Sequence, residues 1–272
     1  MNTMCPILNV SRSGYYAWQK RPPGKKAKKK QELLARIRKA HEDSRGIYGA
    51  PRITAELACQ GCPASCNTVA KYMREEGLCS RIKRRFRVQT TDSAHGYPAA
   101  ENLLARDFTA SGPNQKWCCD ITYVPTAEGF LYVAAVIDCF SRKLVGWSMA
   151  DHLRAKLCID ALEMAIARRR PAAGLVHHSD RGIQYACQEY RQVLEAHGLI
   201  ASMSGRGDCY DNALMESYWG SMKTEWTHHE LYPTREDARR SIFEYMEVFY
   251  NRQRRHSAIG YMSPEQFEAS LN

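Results

Sequence analysis

From residue 116 onward the sequence alternates between strand-like and helix-like segments, and their order restricts the fold. Three segments rich in aromatic and β-branched residues come first, and Glu128-Gly129 between the first two predicts a hairpin. Helical and short apolar segments then alternate. The predicted strands span residues 116–125, 130–140, 143–149, 175–179 and 199–203, and the predicted helices span 157–170, 185–196 and 211–226, before an amphipathic helix with Ile242, Met246, Phe249 and Tyr250. This order predicts an α/β fold with a mixed five-stranded sheet flanked by helices.

Charge is distributed unevenly along the 272-residue chain, which carries a net charge of +10. Residues 1–100 contain 20 Lys and Arg against 7 Asp and Glu, whereas residues 101–272 contain 19 against 22. Residues 20–30 hold seven basic residues in eleven, and residues 81–87 hold five in seven. Because cations that neutralise phosphates release counterions, we predict that the first hundred residues bind a polyanion, with DNA or RNA as the first candidate.

A helical pattern fills the space between the two basic runs. Apolar residues recur at three- and four-residue spacing from Leu33 to His41, and a second helix begins near Pro51. Asn67 can cap a third helix, and Gly77 is placed to end it. A short helix, a turn and a capped second helix are typical of a helix-turn-helix. The predicted regions are a basic N-terminal arm (1–30), a small all-α helix-turn-helix-like DNA-binding region (31–87), a linker (88–113) and a core with C-terminal helices (114–272).

Other features exclude the secreted and membrane-spanning classes. The longest apolar stretch, Phe130 to Ile137, is far shorter than the roughly 20 residues that span a bilayer, and the N-terminus lacks a basic-then-apolar leader. Eleven cysteines, an odd number, indicate reduced thiols and a cytoplasmic protein. Cys59, Cys62 and Cys66 could bind zinc with Cys79 as a fourth ligand. No second ligand pair follows at zinc-finger spacing, which favours ordinary thiols near a turn.

Three acidic residues occupy positions where an ionised carboxylate either costs free energy or belongs to a functional site. Asp120 lies inside the first strand, where a charge needs a cation or an open cleft. Asp180 ends the fourth strand, and ligand sites gather at strand ends in such sheets. Glu216 lies in the first turns of the helix after the glycine-rich residues 204–207. If they converge, the three carboxylates form a hard-oxygen site for Mg²⁺ or Mn²⁺. Two such ions about 3.5–4 Å apart can activate the attacking oxygen and stabilise the leaving oxygen of a phosphodiester.

Neighbouring polar residues offer alternative ligands that have more ordinary explanations. Asp138 precedes a turn to which it can hydrogen-bond, and Asp211 is well placed to cap a helix, while Asp208 is a further acid near the site. His177 and His178 occupy alternating strand positions, which predicts one packed and one exposed side chain rather than two metal ligands.

Lys223 lies seven residues after Glu216, nearly two helical turns further on. The two side chains therefore share a helix face and are separated by about 10 Å along the axis. This separation is too long for an intrahelical ion pair, but it suits an ammonium group that reaches a phosphate or base beside the reacting bond. A solvated lysine on an exposed helix is the alternative.

Four motifs follow one another in the chain: WCCDITYV (117–124), HHSDRGIQY (177–185), SGRGDCYDNALMES (204–217) and YNRQRRHSAIGYMSP (250–264). Together they resemble the catalytic reading frame of bacterial insertion-sequence transposases, which belong to the retroviral-integrase-like DDE group. The resemblance covers about residues 30–270. It implies a ribonuclease H-like core, with Asp120, Asp180 and Glu216 as the catalytic triad that binds two Mg²⁺ or Mn²⁺ ions.

The resemblance also implies partners. The substrate would be double-stranded DNA, as element ends and as target, and the chain would act on it as a homo-oligomer. The basic N-terminal segment is similar to the family's helix-turn-helix region, and in such elements an upstream reading frame often supplies a further DNA-binding part by frameshifted fusion. The family carries Lys or Arg at the offset of Lys223. The residues expected to contact DNA are Lys223, Arg84, Arg85, Asn251, Arg254 and His256.

Two functional classes follow from these observations. The first is a DNA transposase that cleaves and joins element ends by metal-assisted phosphodiester transfer. The second is a non-catalytic DNA-binding protein, either a decayed copy or a regulator that uses the N-terminal module. The intact triad at its spacing favours the first class, because a decayed copy need not keep all three acids.

Overall fold

The computed structural model describes residues 4–8, 10–20, 22, 24–81, 100–205 and 209–271. The chain divides into two compact units, Met1–Arg81 and Ile82–Asn272, which we call the helical unit and the sheet unit. In the described part of the chain, no helix has the length and apolar character needed to cross a membrane.

Five helices are described in the helical unit, and the last three of them pack around a small apolar core. They are α1 (Met4–Ile7), α2 (Arg12–Gln19), α3 (Lys25–Asp43), α4 (Ala50–Cys59) and α5 (Cys66–Glu75). Lysines of the first basic run form the opening turns of α3. The side chains of Ile37, Ile53, Leu57, Val69 and Met73 are buried and join α3, α4 and α5. This core accounts for the helical spacing of apolar residues in the sequence.

The residues predicted to begin α4 and to end α5 are confirmed, whereas the predicted N-terminal cap of α5 is wrong. Pro51 lies in the first turn of α4, and Gly77, at a φ of 67°, follows the end of α5, as predicted. The predicted cap at Asn67 is wrong. The side chain of Ser65 caps α5 instead by accepting a hydrogen bond from the amide of Thr68 (3.2 Å). The helix begins two residues earlier because this serine is already in an extended conformation that can cap it.

The sheet unit is built on the predicted mixed five-stranded sheet. Its strands are β1 (Lys116–Thr126), β2 (Gly129–Asp138), β3 (Leu144–Ala150), β4 (Val176–Ser179) and β5 (Ile200–Met203). They lie in the order β3-β2-β1-β4-β5, with β1, β2 and β3 antiparallel and with β4 and β5 parallel to β1. This arrangement confirms the ribonuclease H-like fold that the sequence predicts.

Helices cover both faces of the sheet. The helices of this unit are α6 (Ala155–Arg169), α7 (Ile183–Ala186), α8 (Gln188–Ala196), α9 (Ala213–Glu225), α10 (Arg235–Phe243) and α11 (Pro264–Ala269). Helix α6 approaches β3 so closely at Gly146 that a Cβ there would lie 2.2 Å from the carbonyl oxygen of Ala161. Only glycine allows this approach. Helix α9 packs across β1 on the face to which Asp120 points.

Three predicted helices differ from the structure in detail. The predicted helix 185–196 is broken at Cys187, whose extended backbone separates α7 from α8. The predicted helix 211–226 begins with a 3-10 turn at Cys209–Asn212. The last amphipathic helix changes from α10 to a π-helical stretch, Glu244–Tyr250, which buries Met246, Phe249 and Tyr250. Each change adjusts which side chains of a helix face the core.

Candidate active site

Asp120 and Asp180 lie side by side at the centre of the sheet. The parallel register of β1 and β4 pairs Cys118 with His178, and two positions beyond that pair lie Asp120 on β1 and Asp180, the residue that follows β4. Because neighbouring strands are about 4.8 Å apart and side chains alternate between faces, both carboxylates project to the same face. Oδ1 of Asp180 also accepts a hydrogen bond from the amide of Gly182 (2.9 Å), which fixes the turn after β4.

Helix α9 brings Glu216 to the same region. Asn212, just before the helix, donates from Nδ2 to the carbonyl oxygen of Cys119 (3.3 Å), and Trp219 donates from Nε1 to Oδ2 of Asp120 (3.1 Å). Glu216 and Lys223 share a helix face with Trp219 at three- and seven-residue spacing. The two hydrogen bonds therefore hold the face that carries Glu216 against β1.

The electrostatics of Asp120 reflect crowding by like charges. Burial, followed by the charge of Asp180, raises the pKa of Asp120 well above its usual range, and the charge of Glu216 adds to this increase. The hydrogen bond from Trp219 opposes the increase because it favours the ionised form. Glu216 is the most exposed of the three carboxylates, and a partial loss of hydration raises its pKa.

The three carboxylates fit a divalent cation by their chemistry. Hard carboxylate oxygens are the ligands that Mg²⁺ and Mn²⁺ prefer, and a cation would relieve the repulsion that raises the pKa of Asp120. Within the described ranges, no group of three or more His, Cys, Asp or Glu side chains is close enough to hold a metal ion. The charges of Asp180 and Glu216 both raise the pKa of Asp120, so the three acids lie in one region, and Glu216 is the most exposed of them.

Lys223 lies beside Asp120 rather than on a solvated surface. Its Nζ atom lies 5.2 Å from the centroid of the Tyr123 ring, a cation–π contact. Burial lowers the pKa of Lys223, and the negative charge of Asp120 counteracts this effect. The pKa of His228 is lowered by burial and then by the charge of Lys223. A half-buried cation thus stands next to the carboxylates.

Two residues of this site were not found from the sequence. Trp219 was missed although its position three residues after Glu216 places it on the same helix face, and that spacing was an available signal. Tyr123 was missed because its contact with Lys223 joins a strand to a helix 100 residues further along the chain. Neither side chain belongs to a residue type that by itself indicates a carboxylate site.

The other acids serve the fold. Asp138 accepts hydrogen bonds from the amides of Asn114 (2.8 Å) and Phe140 (2.9 Å), which confirms that it binds its turn. The prediction that Asp211 caps a helix is wrong. It accepts from the amide of Gly205 (2.7 Å) and from the side chain of Asn102 (2.8 Å), because it lies inside the 3-10 turn at 209–212, one residue before the cap position of α9 at Asn212. Asp208 lies outside the described residues.

Both histidines of the fourth strand are buried, so the prediction of one exposed side chain is wrong. His178 contacts the hydroxyls of Ser202 (2.8 Å) and Ser204 (3.3 Å), and His177 contacts the hydroxyl of Tyr190 (3.2 Å). Burial lowers the pKa of His178 and lowers that of His177 to about 3. Strand β4 is covered by protein on both faces, so both of its alternating sets of side chains are buried.

Two residues of the C-terminal motif (250–264) that were predicted to contact DNA are buried in the fold. Asn251 is buried and forms two hydrogen bonds with the backbone of Leu144 (2.9 Å each). Arg254 is 5% exposed and forms a bidentate ion pair with Glu225 (2.6 and 2.7 Å). Both side chains are engaged inside the fold, so a structural role replaces the predicted DNA contact for these two residues. His256 is half-buried and packs its ring on Tyr250.

The remaining candidates lie in the helical unit or next to it. Arg84 and Arg85 fall outside the described residues. Cys59, Cys66 and Cys79 are exposed free thiols, and Cys62 is a partly exposed one. The described residues do not bring the four into a cluster able to hold a metal ion.

Comparison with known families defines the class of protein. Integrase core domain families match residues 110–209 and 197–264, and an HTH-like domain family matches residues 28–86. An integrase core combined with a helix-turn-helix-like domain defines a DDE transposase/integrase, an enzyme that acts on DNA.

Solved structures of viral integrases are also similar. A chain of the cryoEM structure of the simian T-cell lymphotropic virus intasome in complex with PP2A regulatory subunit B56 gamma is 16% identical, with 85% of this chain and 73% of that chain covered and a TM-score of 0.49. The HTLV-2 integrase catalytic core domain in complex with magnesium is 16% identical, with coverage of 58% and 99% and a TM-score of 0.46.

Curated relatives narrow the class to one family. The chain is 46% identical over 270 residues to the transposase InsF for insertion sequence IS3A from Escherichia coli (strain K12), covering 98% of this chain and 93% of the relative. It is 44% identical over 264 residues to the "uncharacterized 31 kDa protein" of insertion element IS600 from Shigella sonnei, covering 97% of each. The chain belongs to the IS3 family of insertion-sequence transposases.

Proposed function

We propose that this transposase cleaves DNA at the ends of its insertion sequence and joins them to a target by metal-dependent phosphodiester transfer at Asp120, Asp180 and Glu216. The observation that carries the proposal is the placement of Asp120 on β1 and Asp180 just after the parallel strand β4, close enough for their charges to interact, with the face of α9 that bears Glu216 hydrogen-bonded to Asp120. The family relationship favours this enzyme over a non-catalytic DNA-binding protein.

The carboxylates are proposed to hold two Mg²⁺ or Mn²⁺ ions. When bound, such ions supply activation of the attacking oxygen and stabilisation of the leaving oxygen. Asp120 contributes a fixed ligand because β1 holds its backbone, and Asp180 contributes one from the turn after β4, where its carboxylate accepts from the amide of Gly182. Glu216 contributes a ligand from the first turn of α9. Trp219 orients the carboxylate of Asp120 through its hydrogen bond.

Lys223 is proposed to bind the phosphate backbone beside the reacting bond. Its ammonium group is partly desolvated and lies close enough to Asp120 for that charge to affect its pKa. A phosphate that binds at the carboxylates would lie near the Lys223 ammonium group. Because this group is partly buried, its electrostatic attraction to the phosphate is stronger than on an open surface.

Further DNA contacts and partners extend the proposal. The basic helical unit, together with Arg84 and Arg85, is proposed to supply sequence-independent affinity for duplex DNA through phosphate contacts. His256 remains a candidate DNA contact of the sheet unit. We also propose that the chain acts in the cytoplasm as a homo-oligomer on DNA, with the product of an upstream reading frame as an additional DNA-binding partner.

A cleavage assay on labelled DNA that carries the element's own ends tests the proposal. The wild-type chain is compared with Asp120→Asn, Asp180→Asn and Glu216→Gln in Mg²⁺ and in EDTA. Each substitution keeps the side-chain volume but removes a metal-binding charge, so cleavage should fall to the level measured in EDTA while DNA binding is retained.

Glu195→Gln is the matched control, because Glu195 is an exposed acid on α8 and its replacement removes one charge elsewhere on the sheet unit. This variant should cleave at the wild-type rate. Cleavage that persists in EDTA, or that survives any one triad substitution in Mg²⁺, would contradict the assignment of the residue concerned.

A further inference from the structure

Three aromatic rings form a continuous surface at the hairpin end of β1 and β2. Tyr123 pairs directly with Tyr132 across the two strands, and Phe130 lies two residues before Tyr132 on the same face. The ring centroids of Tyr123 and Phe130 are 4.8 Å apart, and those of Phe130 and Tyr132 are 6.3 Å apart. We call Tyr123, Phe130 and Tyr132 the aromatic ledge.

The ledge extends from the protein core into solvent. Tyr132 packs against the buried cluster between the sheet and α6, whereas the side chain of Phe130 is 48% exposed. Because Phe130 lies largely outside the core, a polar residue at this position would not reduce the apolar area that the core buries. Contiguous exposed apolar surface beside a polar site marks a binding surface more often than a scattered single residue does.

Cations stand at both ends of the ledge. Lys223 lies over the ring of Tyr123, and Arg235 donates from Nε to the carbonyl oxygen of Phe130 (3.1 Å). Aromatic rings flanked by cations match a nucleic acid strand, whose bases stack on rings while its phosphates meet positive charge. The charges favour this occupant over an uncharged peptide or a second apolar surface.

The ledge also adjoins the candidate active site. Tyr123 lies three residues after Asp120 on β1, about 10 Å at the rise of a strand, and its ring projects to the opposite face of the sheet because side chains alternate. Trp219 of α9 hydrogen-bonds to Asp120, and Lys223 lies about one turn further along that helix. The Lys223 ammonium connects the two, since it contacts the ring of Tyr123 and lies within the influence of the Asp120 charge. A DNA strand that ran from Asp120 along α9 past Lys223 would reach the ledge.

We propose that the aromatic ledge stacks an unpaired nucleobase next to the DNA bond that reacts, with Phe130 as the principal stacking ring. The bases of an intact duplex are stacked on one another, so the ledge binds only a base that has left its pair at a frayed or distorted end. This inference rests on the proposed function, because it assumes that a DNA end occupies the carboxylate site.

Fluorescence of 2-aminopurine tests the ledge with the full chain. The probe is a duplex that carries the element's terminal sequence, with its last bases on one strand unpaired and 2-aminopurine among them. Binding is measured in EDTA so that the DNA stays intact. The wild-type chain should quench the probe and should bind it more tightly than the fully paired duplex. Phe130→Ala should abolish the quench and weaken binding of the unpaired probe about tenfold, as expected for one lost base-stacking contact.

Two further variants separate stacking from folding. Phe130→Trp restores a ring and should restore the quench. Phe243→Ala is the matched control, because Phe243 is 46% exposed and packs on Trp147 of β3, away from the ledge. It should leave both readouts unchanged. A quench that survives Phe130→Ala, or a loss equal in Phe130→Ala and Phe243→Ala, would overturn the proposal.

The quenching and cleavage assays together distinguish a failure of the base-stacking proposal from a failure of the proposed function. A protein that quenches the probe in EDTA but does not cut DNA in Mg²⁺ would contradict the proposed function and leave the ledge intact. A protein that cuts DNA but never quenches the probe would contradict the ledge alone. If Phe130→Ala changes the oligomeric state in light scattering and leaves the quench unchanged, the ledge is a contact between copies of the chain, and base stacking is wrong.

Discussion

An indole nitrogen and a backbone amide hold the carboxylate of Asp120. Trp219 donates to Oδ2 at 3.1 Å alongside the backbone hydrogen bond from Ile121, and without the indole donor the carboxylate is held less firmly and its ionised form is less favoured. Partners that orient a metal ligand typically contribute 10–100-fold to metal affinity, so we expect Trp219→Phe to weaken Mn²⁺ binding by about that factor. Calorimetric titration with Mn²⁺ measures the change.

Trp147→Phe controls for the loss of an indole donor, because Trp147 donates to Glu247 (2.7 Å) at the edge strand β3. It should bind Mn²⁺ as the wild type does. Equal affinity in Trp219→Phe and the wild type would show that Asp120 is oriented without this bond.

His177 makes the fold sensitive to acid. Burial lowers the pKa of the His177 imidazole from 6.5 to about 3. Below about pH 6.5 the unfolded chain therefore binds a proton at this histidine, whereas the folded chain binds it only as the pH approaches 3. Stability is therefore fully present above pH 6.5 and is lost as the pH falls towards 3. His177→Gln cannot take up this proton. Its Tm should fall less than that of the wild type between about pH 7.5 and about pH 5 in circular dichroism melts. Parallel declines in the two proteins would contradict the assignment.

At the scale of elements, local pattern predicted the strands and the fold. The segments around Asp120 and Val136 are rich in β-branched and aromatic residues, and those preferences are local to the strand. The three acids of the proposed triad could be selected from the sequence because they stand at distinctive positions: within a strand, at a strand end and at a helix start. Their arrangement in space depends on the register of β1 and β4, which the sequence alone does not specify.

The C-terminal motif shows where local pattern is insufficient. Asn251 hydrogen-bonds to Leu144, which is 107 residues away, and Arg254 pairs with Glu225, which is 29 residues away. An arginine in a basic segment looks the same in sequence whether it binds DNA or a buried carboxylate. Only the packing of the π-helical stretch decides between them, because it turns these side chains towards α9 and β3.

The ion pair between Arg254 and Glu225 should stabilise the position of α9. Both side chains are almost fully buried, so Arg254→Ala leaves an uncompensated charge and should lower the free energy of unfolding by about 3–5 kcal/mol. Urea denaturation measures the loss. The double variant Arg254→Met with Glu225→Met, which removes both charges, should recover much of it.

DNA binding checks the structural role independently. If Arg254 neutralised a phosphate, its loss would reduce the slope of log affinity against log salt by about 0.9. We expect no change in this slope for the folded Arg254 and Glu225 double variant. A reduced slope would restore the predicted DNA contact.

For the whole molecule, the charge is divided between the two units. The positive charge lies in the first hundred residues, and the remainder carries a slight excess of acids. Lys25, Lys26, Lys28 and Lys29 are exposed in the opening turns of α3. Replacing these four by Gln should weaken duplex binding and flatten its salt dependence by up to about 0.9 for each phosphate contact removed. Fluorescence anisotropy over a range of salt concentrations measures this.

Arg154→Gln with Lys156→Gln is the control for this variant, because both are exposed cations of the sheet unit. It should change the slope less than the α3 variant does. An unchanged slope in the α3 variant would contradict the division of labour between the two units.

Asp120, Asp180 and Glu216 are proposed to form one metal site on the sheet unit. Counting bound Mn²⁺ by electron paramagnetic resonance, with the DNA end present, tests this metal site. We predict two ions for each wild-type chain and for Glu195→Gln, and fewer for Asp120→Asn, Asp180→Asn and Glu216→Gln. The same number of bound ions in the wild type and in all three triad variants would contradict the claim.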